Sequence, residues 1–147
     1  MAYRLPNSFS SSQQIEALLS EVEKLKPAVL VLPQKWPTHL QEFAQTNAIG
    51  SLTIATQAKL VSYLKALLSS SPQISLVVAS MPNGEELNEL TGWFRSHIHP
   101  HTMIHIAQNS DLLAGCVLRT SGQVYDLSLR SNLFANSEKL VERLQHA

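Results

Sequence analysis

The sequence has little of several features that mark common classes of protein. It contains one cysteine, Cys116, and its longest apolar run is the five residues 28–32. A single cysteine excludes an internal disulfide and gives no indication of an oxidising compartment. The first seven residues lack the apolar core of a signal peptide, and no run is long enough to span a bilayer. We therefore expect a cytosolic protein, with any membrane association made through a partner.

An excess of charge of either sign is also absent. Eleven basic and eleven acidic residues give a formal net charge of zero, so the chain has no electrostatic footprint for nucleic acid or for an anionic membrane. Hydrophobic residues make up 44% of the chain and charged residues 15%, which favours a folded protein over a disordered one. At 147 residues the chain has room for at most two small domains.

Glycine is scarce as well, with five in the chain. Gly84 and Gly122 follow Asn83 and Ser121 as isolated turn residues, which is unlike a phosphate-cradling loop. The sequence therefore indicates no nucleotide site, and we expect no cofactor.

What the chain does contain is a series of helical patterns over its first half. Ser11 with Gln14 predicts a capping box, and an apolar stripe follows at helical spacing: Ile15, Leu18, Leu19, Val22 and Leu25. The run 28–32, between Pro27 and Pro33, predicts a short strand. A short helix is expected after Thr38 and a longer one after Thr53, the latter with a buried stripe of Ala58, Val61, Leu64, Leu67 and Leu68.

The polar segment 69–72 is the predicted boundary, because the patterns that follow are rich in β-strands. They are a central strand over 74–79, a helix capped by Asn83, a strand over 102–107, a hairpin and a last helix. The inner face of the first of these helices is predicted from Leu87, Leu90, Phe94 and Ile98. We therefore predict an α+β protein: a reduced, mainly helical unit over 1–71, then a small mixed sheet with a hairpin and flanking helices over 72–147.

The hairpin is the most specific pattern in the chain. Ala114-Gly115 opens it, Ser121-Gly122 is placed to form a tight turn with a positive φ at the glycine, and it closes on Asp126-x-Ser128-Leu129-Arg130-x-x-Leu133. This pattern resembles the C-terminal signature of the delta subunit of F-type ATP synthases, called the oligomycin-sensitivity-conferring protein in mitochondria. The family usually has Gly-Gly where this chain has Ala114-Gly115. The order of elements over 72–147 is also similar to that of the C-terminal domain in this family.

The resemblance implies a non-catalytic stator subunit on the cytoplasmic side of a bacterial plasma membrane, where it links the catalytic head to the peripheral stalk for proton-driven ATP synthesis. It implies two partners: the N-terminal segments of the alpha subunits, held by the helical unit, and the b-subunit stalk, held by the C-terminal unit. We assign binding of the alpha subunits to the stripe from Ile15 to Leu25. Binding of the stalk is assigned to the last helix, with Leu140, Val141 and Leu144.

Three polar features have competing interpretations. Asp126 and Ser128 are typical of a backbone cap and also available for partner contact, whereas Arg130 is the sharper contact candidate because a guanidinium can bind a partner carboxylate in a bidentate manner. Histidines 97, 99, 101 and 105 suggest a metal site, although no acidic residue or cysteine lies close by in sequence. Trp36 and Trp93 are each typical of core or interface, with Trp93 the one expected to be exposed.

Two alternative functions remain beside the stator subunit. One is a small metal- or thiol-dependent enzyme that uses the His97–His105 cluster and Cys116, although Cys116 lies in an apolar strand and has no recognisable catalytic spacing. The other is a free-standing adaptor with a delta-like fold. We assign no catalytic, cofactor or metal residue.

Overall fold

The computed structural model describes residues 3–129, 136 and 142, and it has the predicted α+β architecture. Helices come first and a four-stranded mixed sheet follows. The elements are α1 (Ser12–Lys24), α2 (Pro27–Leu30), a 3-10 turn (Pro33–Lys35), α3 (Thr38–Thr46), α4 (Ile54–Ser70), β1 (Gln73–Val78), α5 (Gly84–His97), β2 (Met103–Gln108), β3 (Cys116–Arg119) and β4 (Val124–Asp126).

The chain divides into two compact units. The helical unit comprises the chain up to Pro72 together with Gly84–Met103, and the sheet unit comprises Gln73–Asn83 and the chain from Ile104 onward. The first crossing between them lies at the predicted boundary. The predicted division differs in one segment, because α5 belongs with the N-terminal helices and not with the sheet. The physical reason is a buried arginine on α5, described below.

The helical unit is held by one apolar core. α1 begins at a capping box, in which the backbone N–H of Ser11 donates to the Oε1 atom of Gln14 at 3.1 Å, and it packs against α3 and α4. Since the apolar residues of these helices recur at helical spacing, they meet in the same interior. The fully buried members of the core include Phe9, Ile15, Leu18, Val22, Leu40, Phe43, Leu60 and Leu64.

Three of the predicted elements differ from the structure. The run 28–32 is not a strand: Pro27 occupies the first position of α2, where its fixed φ suits a helix, and Leu30 is buried in the helical core. The buried stripe of α4 consists of Leu60, Leu64 and Leu67, whereas Ala58 is exposed. On α5, Ile98 lies just past the helix end and is 55% exposed, so it is not part of the inner face.

The sheet has the order β2-β1-β3-β4, so β1 is the central strand that the sequence predicts. β1 pairs antiparallel with β3, with Ser75 opposite Arg119, and β3 pairs antiparallel with β4. β2 runs parallel to β1. The N–H of Met103 donates to the Pro72 carbonyl at 2.9 Å, and the N–H of Asn109 donates to the Val78 carbonyl at 2.9 Å. Because both partners advance by six residues between these two bonds, the strands run in the same direction. The sheet is therefore mixed.

α3 ends in a Schellman motif that has alanine where glycine is usual. Ala48 has a φ of +53°, and Ile49 N–H donates to the Ala44 carbonyl at 2.9 Å while Ala48 N–H donates to Gln45 at 3.3 Å. The left-handed conformation brings the Cβ of a non-glycine residue too close to the following carbonyl oxygen. Ala48 is exposed, so neighbouring side chains do not compensate for this cost by packing.

Replacing Ala48 with glycine should therefore stabilise the protein, by about 0.5–1 kcal/mol. The matched control is Ala58→Gly, also exposed but in the middle of α4, where glycine should destabilise by about 1 kcal/mol. Urea unfolding of both variants measures the two shifts. Shifts of the same sign would show that the Ala48 backbone is not strained.

Candidate functional site

The two ends of the hairpin motif meet in the sheet unit at Gly115. This residue has a φ of +86°, which favours glycine. A Cβ atom placed on it would lie 2.3 Å from the carbonyl oxygen of Leu127 and 2.9 Å from the Cα of Ser128. Both distances are shorter than any ordinary carbon contact, and both involve backbone atoms that cannot move aside independently. Only glycine fits at this position.

Backbone hydrogen bonds continue the hairpin past the end of β4. The N–H of Leu127 donates to the carbonyl of Cys116, and the N–H of Leu129 donates to the carbonyl of Ala114, both at 2.9 Å. The Ala114 residue is exposed, so its methyl group is accommodated. Of the small pair that opens the motif, the second residue alone requires glycine, which explains why Ala114 is compatible with the same geometry.

Asp126 and Ser128 form a turn where β4 ends. The Oδ1 atom of Asp126 accepts the backbone N–H of Ser128 at 3.0 Å, and Ser128 is buried. Bonds from the Ser128 hydroxyl and then from its backbone N–H hold the pKa of the Asp126 carboxyl below its usual value. The geometry is that of a cap, the first of the two interpretations drawn from the sequence.

The hairpin turn itself differs from the prediction in one detail. Thr120 N–H donates to the Gln123 carbonyl at 2.9 Å, so Ser121 and Gly122 are the two turn residues. Gly122, however, does not adopt a positive φ, and a Cβ atom on it would meet open space. The conformation that requires glycine lies instead at Gly115, the first residue of the crossing.

Gly115→Ala should destabilise the sheet unit by about 2–4 kcal/mol, because it adds backbone strain and a clash with Leu127. Gly122→Ala is the matched control in the same hairpin and should change stability by about 0.5 kcal/mol or less. Thermal unfolding followed by near-ultraviolet circular dichroism compares the two. Equal effects at both positions would mean that the crossing of Gly115 with Leu127 is not needed.

The stripe that the sequence assigns to the alpha subunits lies in the interior of the helical unit. Ile15, Leu18 and Val22 are fully buried, and Leu19 and Leu25 are partly buried against the same core. The stripe to which the sequence assigns binding of the alpha subunits is thus covered within the helical unit, because α1 packs against α3 and α4. Burying this stripe requires no partner.

The remaining partner and motif residues predicted from the sequence lie outside the described part of the chain. They are Arg130, Leu133, Leu140, Val141 and Leu144. Their assignments stay predictions.

The predicted cluster of histidines is divided between α5, the turn that follows it and β2. His97 stacks on Trp93, with ring centroids 4.6 Å apart, whereas His99 and His101 lie in the turn after α5 and His105 is exposed on β2. Over residues 3–129, 136 and 142, no group of three or more histidine, cysteine or acidic side chains is placed to hold a metal ion. Trp93 is 53% exposed, as predicted.

Cys116 and His105 are not neighbours either. Cys116 lies on β3 opposite Val78, near the end of β1, while His105 lies on β2 near the start of β1. Since β1 runs between β2 and β3, their backbones are about 10 Å apart across the sheet alone. This arrangement does not make the Cys–His pair that a thiol enzyme needs.

Arg95 is the buried polar residue that the sequence does not reveal. It lies on the inner face of α5, is 8% exposed, and donates to four backbone carbonyls. Nη1 donates to Leu5 at 3.2 Å and to Pro6 at 2.6 Å, Nη2 donates to Phe9 at 2.5 Å, and Nε donates to Thr102 at 3.3 Å. One guanidinium thus joins the segment 3–9 to α5 and to the turn that follows it.

Two further side chains hold the same segment. Asn47 accepts the backbone N–H of Arg4 at 2.7 Å and donates to the Arg4 carbonyl at 2.9 Å, and the Tyr63 hydroxyl donates to the Tyr3 carbonyl at 3.1 Å. The segment is therefore fixed through its backbone by α4, α5 and the end of α3. No sequence pattern identifies such contacts, because the acceptors are carbonyls that every residue carries.

Burial lowers the pKa of Arg95 to about 10, which leaves the guanidinium charged at neutral pH, and the nearby Tyr63 acts in the opposite direction. Burial raises the pKa of Tyr63, while Arg95 lowers it. Among the described residues no carboxylate forms an ion pair with Arg95. Its charge is accommodated by the carbonyl dipoles, each a charge-assisted acceptor.

Arg95→Lys should destabilise the protein by about 3 kcal/mol, because an ammonium group cannot reach four separated carbonyls and leaves some of them unsatisfied. Arg119→Lys, at an exposed position on β3, is the control and should change stability by less than about 0.5 kcal/mol. Urea midpoints give both values. A neutral Arg95→Lys would contradict the role assigned to the four bonds.

The helical unit also has an open groove of about 450 Å³ between the 3-10 turn and the end of α3. Its floor includes the buried Trp36, whose indole N–H donates to the Val29 carbonyl at 2.9 Å. The lining consists of Pro33, Gln34, Trp36, Gln41, Ala44, Gln45, Ala48, Ile49 and Gly50. These nine residues provide shape and amide groups but no acid, base or nucleophile.

The chain matches no protein-family model, and no curated protein is similar to it at a significant level. Within the part of the chain that the structure describes, none of the helices has the length and apolar character needed to cross a membrane.

Proposed function

We propose that the chain is a non-catalytic stator subunit of an F-type ATP synthase, of the delta type, which links the catalytic head to the peripheral stalk. The observation that carries the proposal is the close contact of Gly115 with Leu127 and Ser128. It supports the view that the hairpin resembling the delta-subunit signature is a folded structural motif, in which the two ends of the pattern depend on each other.

Three described residues of the motif have structural roles that restrict their type. Gly115 allows the backbone crossing, Asp126 caps the turn, and Ser128 is buried beneath the crossing. Because these requirements are separate, a chance match of all three residue types to the motif would not be expected to satisfy them together. The backbone geometry thus supports the resemblance, in addition to the match of residue types.

The head contact needs a surface other than the buried stripe of α1. The helical unit exposes Val31, Leu32 and Ile54, which are 61%, 42% and 67% exposed. We propose that the N-terminal segments of the alpha subunits bind at this exposed apolar surface.

The stalk contact is proposed for the sheet unit. Leu113, Val124, Tyr125 and Leu127 are between 46% and 72% exposed around the hairpin. β4 is an edge strand, so Val124 and Tyr125 border one edge of the sheet, and exposed large apolar side chains are typical of protein interfaces. An amphipathic b-subunit helix would bury them, together with Leu140, Val141 and Leu144 of the predicted last helix. This function would place the protein at the cytoplasmic face of a bacterial plasma membrane, held there through the complex.

Val124→Asp should weaken binding to a soluble b-subunit fragment about tenfold or more, because it places a charge at the proposed interface. Val124 is exposed in the free protein, so the substitution should leave the fold intact. Ile54→Asp is the matched control: it should leave stalk binding unchanged and weaken binding to a peptide from the N-terminus of the alpha subunits. Calorimetric titration of the intact chain and both variants, checked for folding by circular dichroism, separates these effects. If the intact chain binds neither partner, the stator proposal fails.

A further inference from the structure

The turn after α5 contains two histidines that interact through one ring nitrogen. His101 donates its backbone N–H to the Nδ1 atom of His99 at 3.2 Å, and the two rings are 5.6 Å apart. An imidazole nitrogen can accept this bond only when it carries no proton. In the imidazolium form both ring nitrogens carry N–H groups, so protonating His99 removes the acceptor. The turn is therefore built for neutral histidines.

The other imidazole lies in a site that disfavours a proton. The Nδ1 atom of His101 is buried and has no hydrogen-bond partner. The charged or titratable groups that face it are Tyr63 from α4, at 6.2 Å between ring centroids, Arg95 from α5, and His99 from its own turn. None of these groups is an acid that could stabilise an imidazolium at neutral pH. Burial, then His99, then Arg95 hold the pKa of His101 below its usual value.

The same turn is bonded to the guanidinium that holds the segment 3–9. Thr102 donates through its N–H and its hydroxyl to the His99 carbonyl, at 3.0 and 2.8 Å, and its own carbonyl accepts Arg95 Nε at 3.3 Å. Arg95 in turn binds Leu5, Pro6 and Phe9. A displacement of the turn therefore acts directly on the group that fixes this segment.

We propose that His99 and His101 form a pH-sensitive latch, in which protonation displaces the turn from Arg95 and loosens the segment 3–9. The positive charge added to the turn is repelled by the buried guanidinium of Arg95. This repulsion is reduced at the lowest free-energy cost when the turn moves toward solvent. His101 acts through repulsion and burial, while the bond that His99 Nδ1 accepts holds the turn in its closed form.

The direction of the pH effect follows from linkage. His101 in the closed turn binds a proton less readily than an exposed histidine, so the loosened form takes up the proton first as the pH falls. The closed form has its full advantage over the loosened form above about pH 6.5, which is the pKa of a free histidine. As the pH falls below this value toward the lower pKa of His101 in the closed form, the closed form loses that advantage.

Amide hydrogen exchange, measured by nuclear magnetic resonance on the intact chain between pH 7.5 and 5.0 and expressed as protection factors, tests the latch. We expect protection of Arg4 and Phe9 N–H to fall on the order of tenfold across this range. The fall should begin at about pH 6.5 and level off below the pH at which the His101 imidazole titrates in the closed form. The amides of α1 serve as an internal reference and should keep their protection.

The decisive variant is His99→Asn combined with His101→Gln. The asparagine Oδ1 atom can accept the bond that His99 Nδ1 accepts, and neither new side chain can be protonated. This variant should keep its protection down to pH 5.0, and His105→Gln, at an exposed position on β2, should behave as the parent. Persistence of the loss in the double variant would overturn the proposal.

The parent protein alone is also sufficient to test the latch if the double variant does not fold. Constant protection of the segment 3–9 from pH 7.5 to 5.0 would overturn the latch, and so would a fall that begins only below the imidazole titration of His101. These outcomes are independent of binding to ATP synthase subunits, so a failure of the latch is distinguishable from a failure of the proposed function.

Discussion

The helical unit depends on the positive charge of Arg95, which is buried in its interior. A buried guanidinium is stable only when its donors are used, and the described residues provide no carboxylate for Arg95. Backbone carbonyls of Leu5, Pro6, Phe9 and Thr102 fill that role. Because these acceptors come from segments far apart in the sequence, the requirement to satisfy one side chain fixes where α5, its following turn and the segment 3–9 must lie.

The sheet unit depends on a constraint of a different kind, which is the space available to a backbone. At Gly115 the chain passes so close to Leu127 that a single methyl group would prevent the crossing. Neighbouring bonds from Leu127 and Leu129 then extend the hairpin beyond β4. Here the fold is specified by the absence of a side chain, whereas in the helical unit it is specified by the presence of a long one.

Much of the fold could be predicted because its signals are local. The capping residues Ser11 and Thr53, the apolar spacing of α1 and the central strand β1 all follow from short-range patterns, and the structure has each of them. The run 28–32 is wrongly predicted as a strand because five apolar residues carry no period, and only burial of Leu30 in a helical core settles its conformation.

The candidate site was less accessible for a related reason. The contact of Gly115 with Leu127 is made between backbones, and the four bonds donated by the Arg95 side chain end on backbone carbonyls, so no residue type marks the partner. The hairpin motif pointed to the first of these because its residue types are restricted. Arg95 is indistinguishable in sequence from any helical arginine, and sequence order alone places its helix with the sheet.

The path of the chain between its two units has a consequence for dissecting the protein. The chain leaves the helical unit after Pro72, returns at Gly84 and leaves again after Met103. A cut between Pro72 and Gln73 would yield an N-terminal fragment in which the carbonyls of Leu5, Pro6 and Phe9 have lost their donor, Arg95. The trailing fragment would carry the buried Thr91 and Phe94 of α5 without the unit that covers them. The units are compact but interleaved in sequence, so neither is a transplantable module. A recombination breakpoint within 73–103 divides both units, whereas a breakpoint before or after this range divides one of them.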